Sequence, residues 1–127
     1  MAKFALMAGS LSGLFAVVFG AFGAHALKAR LSAESLAAFQ TGVQYQMFHA
    51  LALVLTGLLM LHFRDSASLD WAARLFLTGI VLFSGSIYLL TLTDMRWPGP
   101  ITPLGGLCFI AAWAMLANTA YRLNVLP

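Results

Sequence analysis

The stretch GVQYQMFHALALVLTGLLMLHF, Gly42 to Phe63, decides how this chain folds. From Ala50 onward it is an almost unbroken apolar run that ends at His62. A spanning helix needs about 20 mostly apolar residues, and a start at Ala50 leaves only about 18 Å of helix against a hydrocarbon core of about 30 Å. The span is therefore predicted to begin near Gly42, which places His49 within the bilayer.

Composition places the whole chain in the same environment. Of the 127 residues, 61% are hydrophobic and 9% are charged, whereas soluble domains carry about 25% charged residues. The net charge of +3 is too small for a nucleic-acid-binding surface, so we expect no nucleic-acid partner. The single cysteine, Cys108, excludes an intrachain disulfide and a paired-cysteine metal motif. These features predict an integral membrane protein.

Four segments are long and apolar enough to cross a bilayer, and we assign them to one domain, residues 1–127. They cover about residues 4–27, 42–63, 71–93 and 103–121. Short connections favour antiparallel neighbours, so the predicted fold is an all-α membrane protein, an up-down bundle of four transmembrane helices. Lys3, an apolar run and Ala24-His25-Ala26 also resemble a cleavable signal peptide. The run is longer than such signals usually are, so we interpret it as a retained span.

Polar residues and prolines predict where three helices begin. Ser32 can cap the second helix, and Asp70 can cap the third. Thr102 followed by Pro103 fits an N-cap with proline at the first helical position of the fourth.

Small residues predict where helices approach each other closely. Gly9 and Gly13 form a GxxxG pattern, and Gly20 continues the same small-residue face. Gly105 and Gly106 are adjacent in the fourth span, although glycine in a helix costs about 1 kcal/mol relative to alanine. We interpret these glycines as packing positions within the chain, with a homo-oligomer seam along the first helix as the alternative.

Six polar residues are predicted to cluster at one end of the bundle, because the first and third connections share that end. They are His25, Gln44, Tyr45, His49, Asp94 and Arg96. Tyr45 and His49 are four residues apart and share a helix face. Polar groups inside a membrane are costly when they face lipid, so this face should point into the bundle.

The predicted cluster has three interpretations. In the favoured one the polar groups satisfy one another and hold the helix ends together. In the second they line a binding vestibule. In the third His25, His49 and Asp94 hold a metal ion, but no HxxxH or ExxH spacing supports this. We therefore expect no metal site.

The sequence contains no recognisable catalytic constellation. Ser10, Ser12 and Ser84 have no adjacent carboxylate–histidine set, and there is no Gly-rich phosphate loop. We expect a non-enzymatic membrane protein without catalytic residues or cofactor, in which the cluster serves packing or partner docking. The alternative is a small oligomeric transporter or channel component that uses the cluster as a vestibule. Expected partners are the lipid bilayer and either a second copy or another membrane protein.

Two blocks of sequence resemble a known family. GAFGAHALKARLSAESLAAFQTGVQYQMFHALAL, from Gly20 to Leu53, and GPITPLGGLCFIAAW, from Gly99 to Trp113, resemble the YgdD/YwdK-like family of small uncharacterised bacterial inner membrane proteins. The resemblance implies a multi-pass protein of the bacterial inner membrane and implies no activity. The matching signature positions are Gly20, Gly23, His25, Gln44, Tyr45, His49, Pro103, Gly105 and Gly106. Four basic residues on the side of the termini against three on the other leave the orientation undecided.

Overall fold

The computed structural model describes residues 1–123, which form four long helices and no strand. Their bounds are α1 Ala2–Leu27, α2 Ala33–His62, α3 Ala67–Leu92 and α4 Ile101–Tyr121. Each is long and apolar enough to cross a membrane. The predicted all-α bundle of four transmembrane helices is confirmed. The largest difference in bounds is that α2 begins at Ala33, well before the predicted start of its span near Gly42.

The four helices pack in chain order. α1 packs on α2, α2 on α3, and α3 on α4. In the most apolar 18-residue stretch of each helix, 44% of the residues are buried in α2, but only 17% in α1 and 17% in α4. The centre of the bundle is therefore α2 together with α3. The outer helices turn most of their apolar side chains toward the surface, where lipid replaces water as the surrounding medium.

One face of α2 carries the contacts that build the core. The buried residues of this face are spaced alternately by three and four positions: Phe39, Gly42, Gln46, His49, Leu53, Thr56 and Met60. Such spacing keeps one stripe of a helix facing its neighbours along its whole length. Because Gln46 and His49 fall on this stripe, both polar side chains are carried into the interior of the bundle.

The starts of α2 and α3 follow the rules of helix capping. The Ser32 hydroxyl accepts a hydrogen bond from the Ser35 amide at 3.1 Å, which confirms the predicted cap of α2. The predicted cap of α3 was wrong. Ser66 caps this helix by accepting from the Leu69 amide at 3.3 Å. Asp70 lies in the first turn instead, where the helix dipole favours a carboxylate.

The start of α4 also differs from the prediction. The helix begins at Ile101, directly after Pro100, whose φ of −67° is already helical. Thr102 and Pro103 therefore lie inside the first turn rather than at the cap. The Thr102 hydroxyl is hydrogen-bonded to that of Ser86 on α3, so it joins two helices instead of closing the end of one.

Two helices contain a π-helical turn. In α1 the turn covers Phe19–Gly23, and in α3 it covers Ile80–Ser84. A π-helical turn inserts one extra residue into the α-helical ladder, so the side chains beyond it are rotated relative to those before it. Residues of both turns line the open space between α1 and α3, namely Phe19 and Gly23 from the first and Ile80, Val81 and Ser84 from the second.

The glycines of α1 differ in how closely they approach α2. A Cβ atom built on Gly9 would lie 2.9 Å from the Val54 amide nitrogen and 3.0 Å from the Ala50 carbonyl oxygen. A Cβ on Gly13 would meet nothing nearer than the Ala50 Cβ at 3.9 Å, and one on Gly20 would lie 3.2 Å from Val43. Of Gly9, Gly13 and Gly20, Gly9 is therefore the one that lies against the α2 backbone, and its packing partner lies within the same chain.

We expect Gly9→Ala to lower the free energy of unfolding by about 1 to 2 kcal/mol, because the new methyl group would press on the α2 backbone. The matched variant Gly13→Ala should change it by less than about 1 kcal/mol, since its methyl group has room. Equilibrium unfolding in mixed detergent micelles, followed by circular dichroism, measures both. Equal losses in the two variants would contradict this account of the α1–α2 contact.

Candidate functional site

The structure does not bring the six residues of the predicted polar cluster together. His25, Gln44, Asp94 and Arg96 are exposed, whereas His49 is buried with 5% of its surface accessible. Tyr45 is 39% exposed and stacks on Phe83 at a ring-centroid distance of 4.6 Å. Among these six residues of the described chain, the hydrogen bond from the His49 ring to the Tyr45 carbonyl is the internal link.

The register of α1 against α2 explains why His25 and His49 are far apart. Gly20 of α1 lies against Val43, and Gly13 lies against Ala50, so the two helices run antiparallel in this register. By the same register His25 is level with a position about eleven residues before His49. At 1.5 Å per residue this is about 17 Å along the bundle axis. His25 thus belongs to the end of the bundle and His49 to its interior.

His49 forms a closed aromatic and hydrogen-bonded arrangement. Its Nδ1 lies 2.7 Å from the Tyr45 carbonyl oxygen, and its Nε2 accepts a hydrogen bond from the Trp113 indole N–H at 3.1 Å. The ring stacks flat on Phe109, with centroids 3.5 Å apart and planes 8° apart. A carbonyl oxygen can only accept, so Nδ1 carries the proton and donates.

Both nitrogens of His49 are therefore used within the chain. A neutral imidazole has one N–H to donate and one lone pair to accept with, and here each has a partner. A metal ion or a substrate proton would have to displace the Trp113 indole from that lone pair. In residues 1–123 no group of three or more His, Cys, Asp or Glu side chains is arranged to hold a metal ion. The geometry suits a role in packing α2 against α4.

Gln46 joins three helices. Its amide nitrogen donates to the Ser12 carbonyl of α1 at 2.8 Å, and its amide oxygen accepts from the Tyr88 hydroxyl of α3 at 2.6 Å. The side chain is 5% exposed. Ser84 adds a second link between α2 and α3, because its hydroxyl donates to the Gly42 carbonyl at 2.6 Å. Gln46 thus supplies the polar contacts of α2 with α1 and α3, and His49 supplies its polar contact with α4.

Gln46 was not among the six residues of the predicted polar cluster, and its contacts with Ser12 and Tyr88 were not predicted. The signal that identifies it is the alternating spacing of the buried stripe, which includes Gly42, Gln46 and His49 and excludes Gln44. Nothing in the sequence marks Trp113 as the partner of His49, since the two residues are 64 positions apart.

One buried polar atom lacks a partner. The Ser12 hydroxyl oxygen is the buried side-chain nitrogen or oxygen of residues 1–123 that makes no hydrogen bond. The remaining buried polar side chains are of Gln, His, Thr and Ser type, and no charged side chain of the described part is buried. The buried polar side chains of the described residues are therefore uncharged hydrogen-bonding groups and the imidazole of His49.

A cleft runs between α1 and α3 above α2, and we call it the α1–α3 cleft. It consists of two open hollows that share Phe19 and Tyr88, whose rings meet edge to face at 5.4 Å. The hollow nearer the α1–α2 connection has a volume of about 290 Å³, and the other of about 430 Å³. The lining of the whole cleft includes Phe15, Gly23, Ala26, Leu27, Val81 and Leu92. The cleft is almost wholly apolar, and the polar side chains of Gln46 and Ser84 lie in the 430 Å³ hollow, further from the α1–α2 connection.

Comparison with known proteins identifies relatives over almost the whole chain. The chain is 42% identical over 120 residues to the UPF0382 membrane protein YwdK of Bacillus subtilis, covering 94% of this chain and 98% of YwdK. It is 39% identical over 122 residues to the UPF0382 inner membrane protein YgdD of Escherichia coli, covering 96% of this chain and 92% of YgdD. No solved structure matches the chain.

These relatives are named as membrane proteins, in agreement with the four candidate spans, and they confirm the predicted location in the bacterial inner membrane. Residues 19–106 match the family model described as protein of unknown function, DUF423. That segment contains the first predicted signature block, the buried stripe of α2 and the start of α4. The chain therefore belongs to the DUF423 family of UPF0382 membrane proteins.

Proposed function

We propose that this protein is non-enzymatic and that its buried polar side chains serve to hold the helices together, while its role in the membrane is carried out through its lipid-facing surface. One observation carries the proposal. Gln46 and His49, the buried side chains with the most versatile chemistry, direct both ends of their polar groups to partners within the chain. Both nitrogens of the His49 ring are occupied, and the Gln46 amide is held at both its nitrogen and its oxygen.

The surroundings of His49 support a structural role. General acid–base catalysis needs a titratable group within reach of a substrate. One face of the imidazole is covered by the Phe109 ring, and the Phe76 ring centroid lies 5.9 Å from that of His49. A substrate would have to open the α2–α4 contact before it could reach either nitrogen.

The arrangement also favours a structural role over transport. A path for ions or polar solutes needs polar groups in series across the membrane. In the α1–α3 cleft the Gln46 amide is closed off by the hydroxyl of Tyr88, and Phe15, Phe19 and Val81 surround it with apolar surface. The partners that fit such a protein are lipids and other membrane-embedded chains, including a second copy.

The proposal is tested by reconstitution into liposomes. We expect that the wild-type protein raises the flux of protons, K⁺ and Cl⁻ no further than protein-free liposomes do. The double variant Gln46→Leu, Tyr88→Phe removes the polar pair that any path along the cleft would pass, and it should behave in the same way. Liposomes treated with an ionophore provide the positive control. Flux carried by the wild type would replace this proposal with a transport function, and its loss in the double variant would place the path in the cleft.

A further inference from the structure

The α1–α3 cleft has the length of one leaflet of a bilayer. Its lining extends along α1 from Phe15 to Leu27, which is about 18 Å at 1.5 Å per residue. Half of a hydrocarbon core of about 30 Å is about 15 Å. The cleft thus begins at the α1–α2 connection and ends near mid-membrane, the depth that one acyl chain covers.

The cleft is shaped for an apolar chain rather than for a polar solute. Along its outer part the lining is supplied by Ala26, Leu27 and Leu92, with Gly23 and Phe39 at its base. Gly23 keeps this part open, because a Cβ there would lie 3.3 Å from the Phe39 ring. Apart from the Tyr88 hydroxyl, which is bonded to Gln46, the side chains that line this outer part are hydrocarbon, so an acyl chain fills it most favourably at membrane depth.

Basic side chains stand where the cleft meets the membrane surface. Lys28 and Arg30 follow Leu27 by one and three positions, and both are exposed. The amides of Arg30 and Leu31 bond to the Leu27 carbonyl, each at 2.9 Å, so the two basic residues lie in a tight turn at the mouth of the cleft. The other charged residues at this end are exposed and include one further cation: Glu34, Asp94 and Arg96.

We infer that the α1–α3 cleft binds one anionic phospholipid, with an acyl chain along the cleft and the phosphate headgroup against Lys28 and Arg30. The inference rests on the proposed function, because it gives the lipid-facing surface a ligand of defined chemistry. Each basic residue near a membrane surface attracts anionic lipid by about 1 kcal/mol, which corresponds to about fivefold in affinity. Two such residues at one mouth therefore favour an anionic over a zwitterionic headgroup.

Native mass spectrometry of the full-length protein in detergent tests this site. Phosphatidylglycerol and phosphatidylcholine with the same acyl chains are titrated separately. We expect phosphatidylglycerol to be retained about 25-fold more tightly, since two cations, each contributing about fivefold, meet its phosphate and no quaternary amine opposes them. The double variant Lys28→Gln, Arg30→Gln should reduce this preference to within about twofold. Ala26→Phe, which fills the cleft, should lower the binding of both lipids by about fivefold.

Matched variants decide whether the effect belongs to this site. Lys3→Gln, Arg64→Gln removes the same kinds of charge at the opposite end of the bundle and should keep the preference. Ala37→Phe places the same bulk on an exposed position of α2 outside the cleft and should leave lipid binding unchanged. Inorganic phosphate at millimolar concentration should not displace the lipid, since it has no acyl chain to seat.

Three results would overturn the inference: equal retention of the two lipids by the wild type, equal losses in the two charge variants, or no effect of Ala26→Phe. The proposed function would survive any of them, because it is judged by the absence of flux in liposomes and makes no statement about headgroups. Flux through the wild-type protein would instead remove the proposed function, whatever the lipid measurements give.

Discussion

Replacing Gly105 with alanine is expected to lower the free energy of unfolding by about 3 kcal/mol or more, or to prevent the bundle from forming. Gly105 is where α4 crosses α3. A Cβ built there would lie 2.7 Å from the Phe83 Cα and closer still to the Phe83 amide nitrogen. The obstacle is backbone, which cannot turn aside as a side chain can. The two helices would have to separate, and Gly79 shows how little room they have, since a Cβ on it would lie 3.2 Å from the Gly105 carbonyl oxygen.

Gly106→Ala is the matched control for Gly105→Ala. The nearest atom to a Cβ at this position is Cδ2 of Phe83, at 4.0 Å, which is ordinary van der Waals contact. We expect a change of less than about 1 kcal/mol, in either direction, because alanine is the better helix former. Unfolding in mixed micelles with sodium dodecyl sulfate, followed by circular dichroism, compares the two. If both variants were as stable as the wild type, α3 and α4 would not cross as closely as the structure has them.

The second large effect is expected for His49→Ala. This substitution removes the ring that stacks on Phe109 and leaves the Trp113 indole N–H without its acceptor. Loss of packing at a buried ring costs roughly 2 kcal/mol, and an interhelical hydrogen bond in a membrane protein contributes about 0.6 kcal/mol on average. We therefore expect a loss of about 2 to 3 kcal/mol in the free energy of unfolding, measured in the same mixed micelles.

Two further variants separate the roles of His49. His25→Ala changes an exposed histidine at the end of α1 and should cost less than about 0.5 kcal/mol. Trp113→Phe removes the indole donor but keeps an aromatic ring. In the double variant with His49→Ala its effect should be smaller than in the wild-type background, because the partner is already absent. Equal losses for His25→Ala and His49→Ala would favour the predicted polar cluster over the arrangement in the structure.

Local features of the chain explain how much of the fold was predictable. Composition and the length of each apolar run are enough to predict four spans, because a helix must satisfy its own backbone hydrogen bonds in lipid wherever it lies. The Ser32 cap was equally predictable, since the serine and the amide it binds are three residues apart. The predicted caps at Asp70 and Thr102 were wrong, because each helix begins a few residues earlier. The N-cap residues are Ser66 for α3 and Pro100 for α4.

The candidate site was predictable only in part. The length of the apolar run correctly predicts that His49 lies inside the bundle, but it contains no information on whether its partner is Trp113, His25 or Asp94. The predicted cluster included Gln44, which is exposed, and omitted Gln46, which is hydrogen-bonded to Ser12 and Tyr88. Choosing between neighbours on one helix requires knowing which stripe faces the other helices, and that depends on where those helices lie.

Composition and apolar length are enough to predict a membrane protein of four helices, because that outcome depends on summed apolar length and on hydrogen bonds made within each helix. The packing of the helices in three dimensions, in contrast, selects the glycines that must stay small and the polar groups that meet. Gly105 and Gly106 are adjacent and chemically identical, yet one touches the Phe83 backbone and the other has space. The physical reason is that contacts between helices depend on the register and depth of their crossing, to within an ångström or so, and no local property of the chain encodes that distance.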